Sequence, residues 1–263
     1  MNCKNCQIEL PENSDFCNSC GGKVIRNRLT FRNLFEHISE TFFNYDNKLL
    51  RTIIDLIKQP EAVIGGYIDG IRKRYVNPIS FFGLTLTLVS LEWLILQKFF
   101  PHLLNMSSLA TNGNENFMEG IFDFIQKYSS ILMMLYIPLY AIISRTVFFD
   151  NKKYNYTEHV VAYIYILSII SIFGLVLNII CVLLGYDLGA VSYINLLIQV
   201  LYISYCFKRL YNLTKLEIAA RACLSFIVYA ILYVVIVILI MVVVFLLEGK
   251  EPIVDFFRSI APR

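Results

Sequence analysis

Five long apolar segments follow Pro78 and restrict this chain to a membrane-embedded, helical fold. They cover approximately residues 79–100, 128–149, 160–184, 191–207 and 223–247. A bilayer core offers no water to hydrogen-bond a bare backbone, so a stretch of about 20 apolar residues crosses it as an α-helix. Charged residues make up 16% of the chain, against roughly 25% in soluble domains. We therefore predict an all-α fold, a polytopic bundle of about five spans.

The residues before Pro78 are water-soluble or interfacial in character. Residues 1–20 are polar and lack the apolar core of a signal peptide. In residues 29–58 apolar side chains recur at helical spacing, but no run reaches the length of a span. Helices here either lie in the cytoplasmic interface or pack on the membrane domain. The predicted segments are 1–25, 26–77, 78–250 and a tail, 251–263.

Four cysteines near the start have the spacing of a zinc ribbon. They are Cys3, Cys6, Cys17 and Cys20. Each CxxC pair presents two thiolates from a tight turn, and Gly21 and Gly22 permit the turn after the second pair. Four thiolates leave no open position on a tetrahedral zinc ion, so the ion is predicted to be structural. Its binding supplies folding energy that so short a segment lacks.

Basic residues gather at the entrance to the first span and set the predicted orientation. Arg72, Lys73 and Arg74 precede that span, and Lys208 and Arg209 end the fourth segment. Later loops on this side carry three and four basic residues, against two and none opposite. The positive-inside rule then places the N-terminus in the cytosol, with the spans in a bacterial inner membrane; the side of the C-terminus stays open. The five side chains are predicted to bind lipid headgroups or a phosphate-rich ligand.

Four polar residues lie inside the apolar segments. They are Glu92, Asn178, Asn195 and Gln199. An acidic residue in a span costs roughly 2.5–3.5 kcal/mol or more, so we expect Glu92 either to reach water near the outer end or to line a polar path. The three amides either join that path or bridge helices.

Taken together, these motifs resemble an uncharacterised family, a domain of unknown function common in Bacteroidetes. The resemblance rests on the CxxC…CxxCG ribbon, a helix that approaches Gln59-Pro60, and a GxRxRYxxP junction at residues 70–78, GIRKRYVNP. Residues 156–159, YTEH, and 208–211, KRLY, are similar as well. Family members often carry further histidines in the third span, where this chain has Tyr163 and Tyr165. The resemblance implies this architecture and no particular activity.

The sequence contains no recognisable catalytic constellation, so an enzyme is not expected. It lacks a P-loop, a Gly-rich nucleotide fingerprint and a Ser-His-Asp grouping. Glu158 and His159 are interpreted most simply as a charge complement at a helix start. The leading hypothesis is a homo-oligomeric, gated ion channel or effector pore, favouring anions and answering a cytosolic nucleotide or oligonucleotide in stress or phage defence. The alternative is a non-conducting scaffold or envelope assembly factor whose ribbon docks a cytosolic protein partner.

Overall fold

The computed structural model describes residues 1–22, 24, 30, 48–101, 128–186 and 188–248. The chain divides into two compact units, Met1–Asn47 and Lys48–Arg263. Within the described residues, every regular element of the second unit is a helix, and in the first unit Asn2 and Glu9 form an isolated β-bridge. The all-α prediction is confirmed.

The described part of the second unit contains seven helices. In chain order they are α1 (Lys48–Lys58), α2 (Pro60–Ile68), α3 (Pro78–Phe99), α4 (Ser129–Val147), α5 (Tyr156–Leu183), α6 (Leu188–Tyr211) and α7 (Lys215–Glu248). Proline begins both α2 and α3, where its missing amide costs no helical hydrogen bond. The Asn77 side chain caps α3 by accepting from the Ile79 amide at 3.0 Å. Local chemistry therefore sets where these helices start.

Four helices are long and apolar enough to cross a membrane. The candidate spans are Pro78–Phe99, Tyr156–Leu183, Val191–Tyr211 and Lys215–Val235. The second predicted span forms α4, whose apolar part, Ile131–Val147, is shorter and contains Pro138. The chain is thus a polytopic helical membrane protein, with four long candidate spans and one shorter apolar helix among its described residues. The predictions for residues 31–42, the loop 102–127 and the tail 251–263 fall outside the described residues.

Helix α5 lies at the centre of the bundle and packs against α3, α4 and α6. Its fully buried side chains include Tyr165, Ile166 and Ile169. Helix α7 packs along α4 and α6, and no residue of its candidate span is fully buried. Since the exposed side chains of this span are mostly aliphatic or aromatic, α7 presents a lipid-like surface.

The short helices α1 and α2 lie against one end of the bundle, which we call the cap end. Both contact α5, and α2 also contacts α6. The starts of α3, α5 and α7 and the ends of α4 and α6 meet here. Tyr165 on α5, for example, donates its hydroxyl to the Val76 carbonyl just before α3 at 2.7 Å. The cap end therefore joins residues that are far apart in the sequence.

Candidate functional site

The two CxxC pairs of the first unit sit in turns with one shared hydrogen-bond pattern. In each, the fourth residue after the first cysteine donates its amide to that cysteine's carbonyl, Gln7 to Cys3 and Gly21 to Cys17, both at 2.9 Å. Gln7 and Gly21 have φ angles of 61° and 69°, a left-handed conformation that glycine adopts without steric cost. The chain thus builds the same knuckle twice, with glycine at the critical position of the second.

The four cysteine sulfurs converge on one point. All lie within 4.8 Å of one another. The Sγ atoms of Cys3 and Cys20 are 3.7 Å apart, and those of Cys6 and Cys17 are 3.6 Å apart. A tetrahedral zinc site with Zn–S bonds of about 2.3 Å has sulfurs about 3.8 Å apart. The four predicted ligands therefore form a group that can hold a metal ion, and two of its sulfur–sulfur distances are close to the tetrahedral value.

The thiols of this cluster differ in acidity because their surroundings differ. Hydrogen bonds from the Gly22 backbone and the Asn5 side chain stabilise the thiolate and lower the pKa of Cys20 to about 6. At Cys6 the Ile8 backbone lowers the pKa, but burial and the neighbouring thiols together raise it to about 12. Thiolates this close repel one another, and a bound cation relieves that repulsion.

A buried histidine, His159, joins three helices at the cap end. Its Nδ1 lies 2.7 Å from Ser144 Oγ on α4, and its Nε2 lies 3.0 Å from the Tyr211 hydroxyl on α6. Ser144 donates its own hydrogen to the Ala141 carbonyl at 3.2 Å. We therefore assign Nδ1 as the donor to Ser144 and Nε2 as the acceptor from Tyr211. With the ring only 1% exposed, both nitrogens are satisfied within the chain.

Aromatic rings enclose His159. Phe207 stacks on it with centroids 5.7 Å apart, and Phe148 stacks on Tyr211 at 4.3 Å. Glu158, the neighbour with which sequence analysis paired His159, instead forms a capping box with Asn155 at the start of α5. The structure therefore separates the two residues, because Glu158 caps the helix while His159 enters the core.

The predicted basic residues at the junction lie beside tyrosine rings. The Arg72 guanidinium is 5.5 Å from the Tyr67 ring centroid, and that of Arg74 is 5.3 Å from the Tyr75 centroid. Tyr75 donates its hydroxyl to Asp55 on α1 at 2.9 Å. Burial, followed by this hydrogen bond, raises the pKa of Tyr75. These contacts hold the junction against α1 and α2 and leave the guanidinium groups at the surface.

The other two predicted basic residues, Lys208 and Arg209, end α6 at the same cap end. Arg209 pairs with Glu61 of α2, with its Nε 3.0 Å from Glu61 Oε2. Lys208 is half-buried, and within the described part of the chain no ion pair is found for it or for Lys73. The five residues therefore share one end of the molecule, but Arg209 already has a carboxylate partner.

A cleft of about 370 Å³ opens beside the Arg209–Glu61 pair. Its lining carries both signs of charge and includes Glu61, Asp69, Lys153, Glu158 and Arg209. Lys153 donates its ammonium to the Leu210 carbonyl at 2.6 Å, which satisfies the end of α6. Most of the charged groups in the cleft are thus engaged in holding helix ends together.

Helix α7 is tied to α4 by Arg221. Its guanidinium donates two hydrogen bonds to Asp150, at 2.9 and 2.7 Å, and a third to the Val147 carbonyl at 2.9 Å. The hydrogen bond from Arg221 lowers the pKa of Asp150 to about 2. Arg221, which sequence analysis counted only as a loop charge, therefore caps the end of α4.

The polar residues inside the spans pair with one another. Asn178 on α5 donates to Glu92 Oε1 on α3 at 3.0 Å, and Asn195 on α6 donates to Asn178 Oδ1 at 2.9 Å. Gln199 lies 3.4 Å from the Tyr140 hydroxyl. Glu92 is 8% exposed, so the chain encloses it rather than leaving it open to water. These groups bridge helices, which is one of the two roles expected for the amides.

Fold and site together define a polytopic helical membrane protein whose N-terminal unit carries four cysteines that can hold a metal ion. Residues 46–89 match the model of a family described as a protein of unknown function (DUF3667). The match covers α1, α2, the basic junction and the first half of α3. No match was found among curated proteins or solved structures. The similarity therefore concerns the segment that forms the cap end.

Proposed function

We propose that this protein is a non-conducting membrane adaptor whose four-cysteine unit binds structural zinc and docks a cytosolic protein partner. The observation that carries the proposal is the pairing of Glu92, Asn178 and Asn195 inside one chain. Polar groups that satisfy one another bridge helices and leave little to line a conduit. The adaptor has no catalytic role, sits in the bacterial inner membrane and keeps its N-terminus in the cytosol.

The surface of the four-cysteine unit supports docking. Its two large apolar side chains near the knuckles, Ile8 and Phe16, are 45% and 59% exposed. Apolar groups at the centre of a protein–protein interface typically carry much of its binding energy. A metal-held unit that displays them without burying them is suited to hold a partner.

The test uses full-length protein in native membranes and in liposomes. We expect no ion flux in liposomes, and a protein cross-linked to the N-terminal unit in membranes. Phe16→Ala should abolish that cross-link while zinc content stays unchanged, and Phe149→Ala, which removes an exposed ring of the second unit, should preserve it. Ion flux through the purified protein, or a cross-link that survives Phe16→Ala, would contradict the adaptor.

The second candidate is a homo-oligomeric, gated pore that answers a cytosolic nucleotide or oligonucleotide in stress or phage defence. The unpaired Lys73 and Lys208 at the described cap end, with Arg72 and Arg74 nearby, favour it. Such a positive field attracts phosphate groups and favours anions at a pore mouth. A chain whose own interior is bridged would need several copies to enclose a pore.

The pore makes its own prediction for the junction. Changing Arg72 and Arg74 to Gln should weaken the ligand response or anion preference of any current, without stopping membrane insertion, because Lys73 and the upstream basic residues remain. If the charges only bind lipid, the double variant should lose affinity for anionic membranes and leave the current alone. An unchanged current with an unchanged dose response would remove the junction from the mechanism.

A further inference from the structure

Helix α1 has one wide apolar face, which is buried along one edge and exposed along the other. Thr52 and Leu56 are fully buried against the bundle. Leu50, Ile54 and Ile57 are 48%, 37% and 40% exposed. At about 100° per residue, this exposed apolar stripe covers an arc of about 60°, and the half-buried Leu49 and Ile53 join it to the buried edge. A surface helix of a soluble bundle normally buries its apolar face, whereas here the part of that face turned away from the bundle is exposed.

The charged residues of α1 form a separate stripe, which lies between the exposed apolar residues and the buried ones on the other side of the helix. They are Lys48, Arg51, Asp55 and Lys58. Asp55 accepts a hydrogen bond from Tyr75, so the cations dominate the surface of this stripe. The exposed residues Arg72, Lys73 and Arg74 add three positive charges at the same end of the bundle. The apolar stripe is therefore accompanied by an excess of positive charge.

Hydrogen bonds from α6 fix the depth of α1 along the bundle. The hydroxyls of Tyr202 and Tyr205 donate to the Leu56 and Lys58 carbonyls, both at 2.9 Å. These tyrosines stand nine and six residues before the end of α6 at Tyr211. At about 1.5 Å per residue, they lie about 14 and 9 Å inside that end. Helix α1 thus lies beside a candidate span, at a level well inside its end.

The lengths of the spans place this level near the membrane surface. Helix α6 has 24 residues, which makes it about 36 Å long, or about 6 Å longer than a hydrocarbon core of about 30 Å. The part of a helix that exceeds the core lies among the headgroups. Because the tyrosines that bind α1 lie about 9–14 Å inside the end of α6, α1 lies just below the boundary between headgroups and acyl chains.

We infer that α1 is an interfacial helix whose Leu50, Ile54 and Ile57 stripe inserts into the bilayer at the cap end, while the neighbouring cations bind anionic lipid headgroups. The stripe, the positive charge and the depth are the three features of a helix that lies in a membrane interface. The inference does not depend on the proposed adaptor function, since a pore would need the same anchor. It assigns the exposed apolar stripe to lipid rather than to a second protein copy.

Fluorescence quenching tests the position of the stripe in full-length protein reconstituted in vesicles. Trp93 is the one tryptophan of the sequence, so Trp93→Phe gives a dark background. Ile54→Trp then reports from the apolar stripe and Arg51→Trp from the charged one. Phosphatidylcholine brominated near the carbonyl end of its chains should quench Ile54→Trp at least about twofold more than Arg51→Trp. Leu50→Trp, also on the stripe, should repeat the result of Ile54→Trp.

Equal quenching of the stripe and control reporters would overturn the insertion. Blue-shifted emission from Ile54→Trp without lipid quenching would also overturn it, since it would place a protein surface on the stripe. For the headgroups, brominated phosphatidylglycerol diluted into phosphatidylcholine should quench Ile54→Trp more than equally diluted brominated phosphatidylcholine. The excess should fall in high salt and in the Arg72→Gln, Arg74→Gln variant. Identical quenching by the two lipids would overturn the anionic preference.

Discussion

Sulfur atoms hold the N-terminal unit together, because little else in its described part is buried. The buried apolar side chains there are Cys3, Leu10 and Cys17. Such a core is far too small to offset the conformational entropy lost on folding. Four sulfurs within 4.8 Å of one another would supply the missing stability on binding a metal ion. We therefore expect metal binding and folding to be coupled for these residues.

Cys17→Ser should abolish metal binding and unfold the N-terminal unit. Elemental analysis should find about one zinc ion per chain in the purified wild-type protein and none in the variant. The variant's N-terminus should become sensitive to protease, while the helical circular dichroism of the bundle stays intact. Cys223→Ser, which changes an exposed cysteine on α7, is the control and should keep its zinc. A metal-free wild-type protein with a protease-resistant N-terminus would contradict the zinc assignment.

The described packing of the bundle also depends on His159. Its ring forms hydrogen bonds with Ser144 and Tyr211, 15 and 52 positions away in the sequence, and stacks on Phe207. A buried polar ring is stable only while its nitrogens are satisfied. We therefore interpret the cluster of Ser144, His159 and Tyr211 as a structural lock between α4, α5 and α6.

Tyr211→Phe should destabilise the bundle by about 1–3 kcal/mol, because it leaves His159 Nε2 buried without a donor. Thermal unfolding in detergent, followed by loss of helical signal, measures the effect. Tyr193→Phe removes the same hydroxyl from a position on α6 that is 57% exposed, and should unfold like the wild type. Equal unfolding temperatures for the two variants would show that the hydrogen bond to His159 contributes nothing.

At the scale of helices, polar bridges determine how α3, α5 and α6 are rotated against one another. Apolar side chains pack against lipid tails as readily as against neighbouring helices, so hydrophobicity alone selects no partner in a membrane. The Glu92–Asn178–Asn195 chain supplies that selection. Helices α5 and α6 also lie close together at Gly174. A Cβ atom at this glycine would lie 3.5 Å from Asn195 Oδ1, so the two helices are in tight contact there.

Substitutions at Glu92 separate bridging from a role in conduction. Glu92→Gln keeps a carbonyl acceptor for Asn178 and should change the stability by less than about 0.5 kcal/mol. Glu92→Leu removes the acceptor and should cost about 0.6–1.7 kcal/mol, the range of hydrogen bonds in membranes. Reversible unfolding in mixed micelles measures both variants. Thr87→Val is the control, because the Thr87 hydroxyl bonds only within α3, to the Gly83 carbonyl. If Glu92→Leu is as stable as the wild type, the hydrogen bond between Asn178 and Glu92 does not stabilise the bundle.

At the scale of the whole molecule, two units with different physical requirements share one chain. The first is expected to need water and a metal ion, since its described part is polar and has a very small core. The second needs a bilayer, since its four long spans expose mostly apolar side chains. The helix ends rich in basic residues lie together at the cap end, as an alternating up-and-down path requires. The positive-inside rule predicts that this end faces the cytosol.

Accessibility labelling tests that orientation. A cysteine introduced at Asn114 should react with an impermeant reagent added to intact cells, and one at Lys152 or Lys215 should not. The native Cys223 is exposed and is changed to Ser in every variant. Lysed cells provide the control, because all three positions should then react. Labelling at Lys152 from outside intact cells would reverse the assigned orientation.

Features that depend on neighbouring residues could be predicted from the sequence. Cysteine spacing predicted the knuckles, Pro78 marked the start of α3, and apolar run length predicted the spans, because turns, caps and insertion are governed by local chemistry. The apolar run at residues 128–149 predicted a full-length span, but the apolar part of α4 is shorter than the other spans.

Contacts between side chains from different helices became known from the packed structure alone. Ser144, His159 and Tyr211 come from three helices, and nothing in their spacing predicts one cluster. The burial of Glu92 is likewise explained by its hydrogen bond from Asn178, which is 86 residues away in the sequence. Helical periodicity gives each helix its faces, but the rotation and depth of one helix against another depend on contacts formed only after all of them have packed.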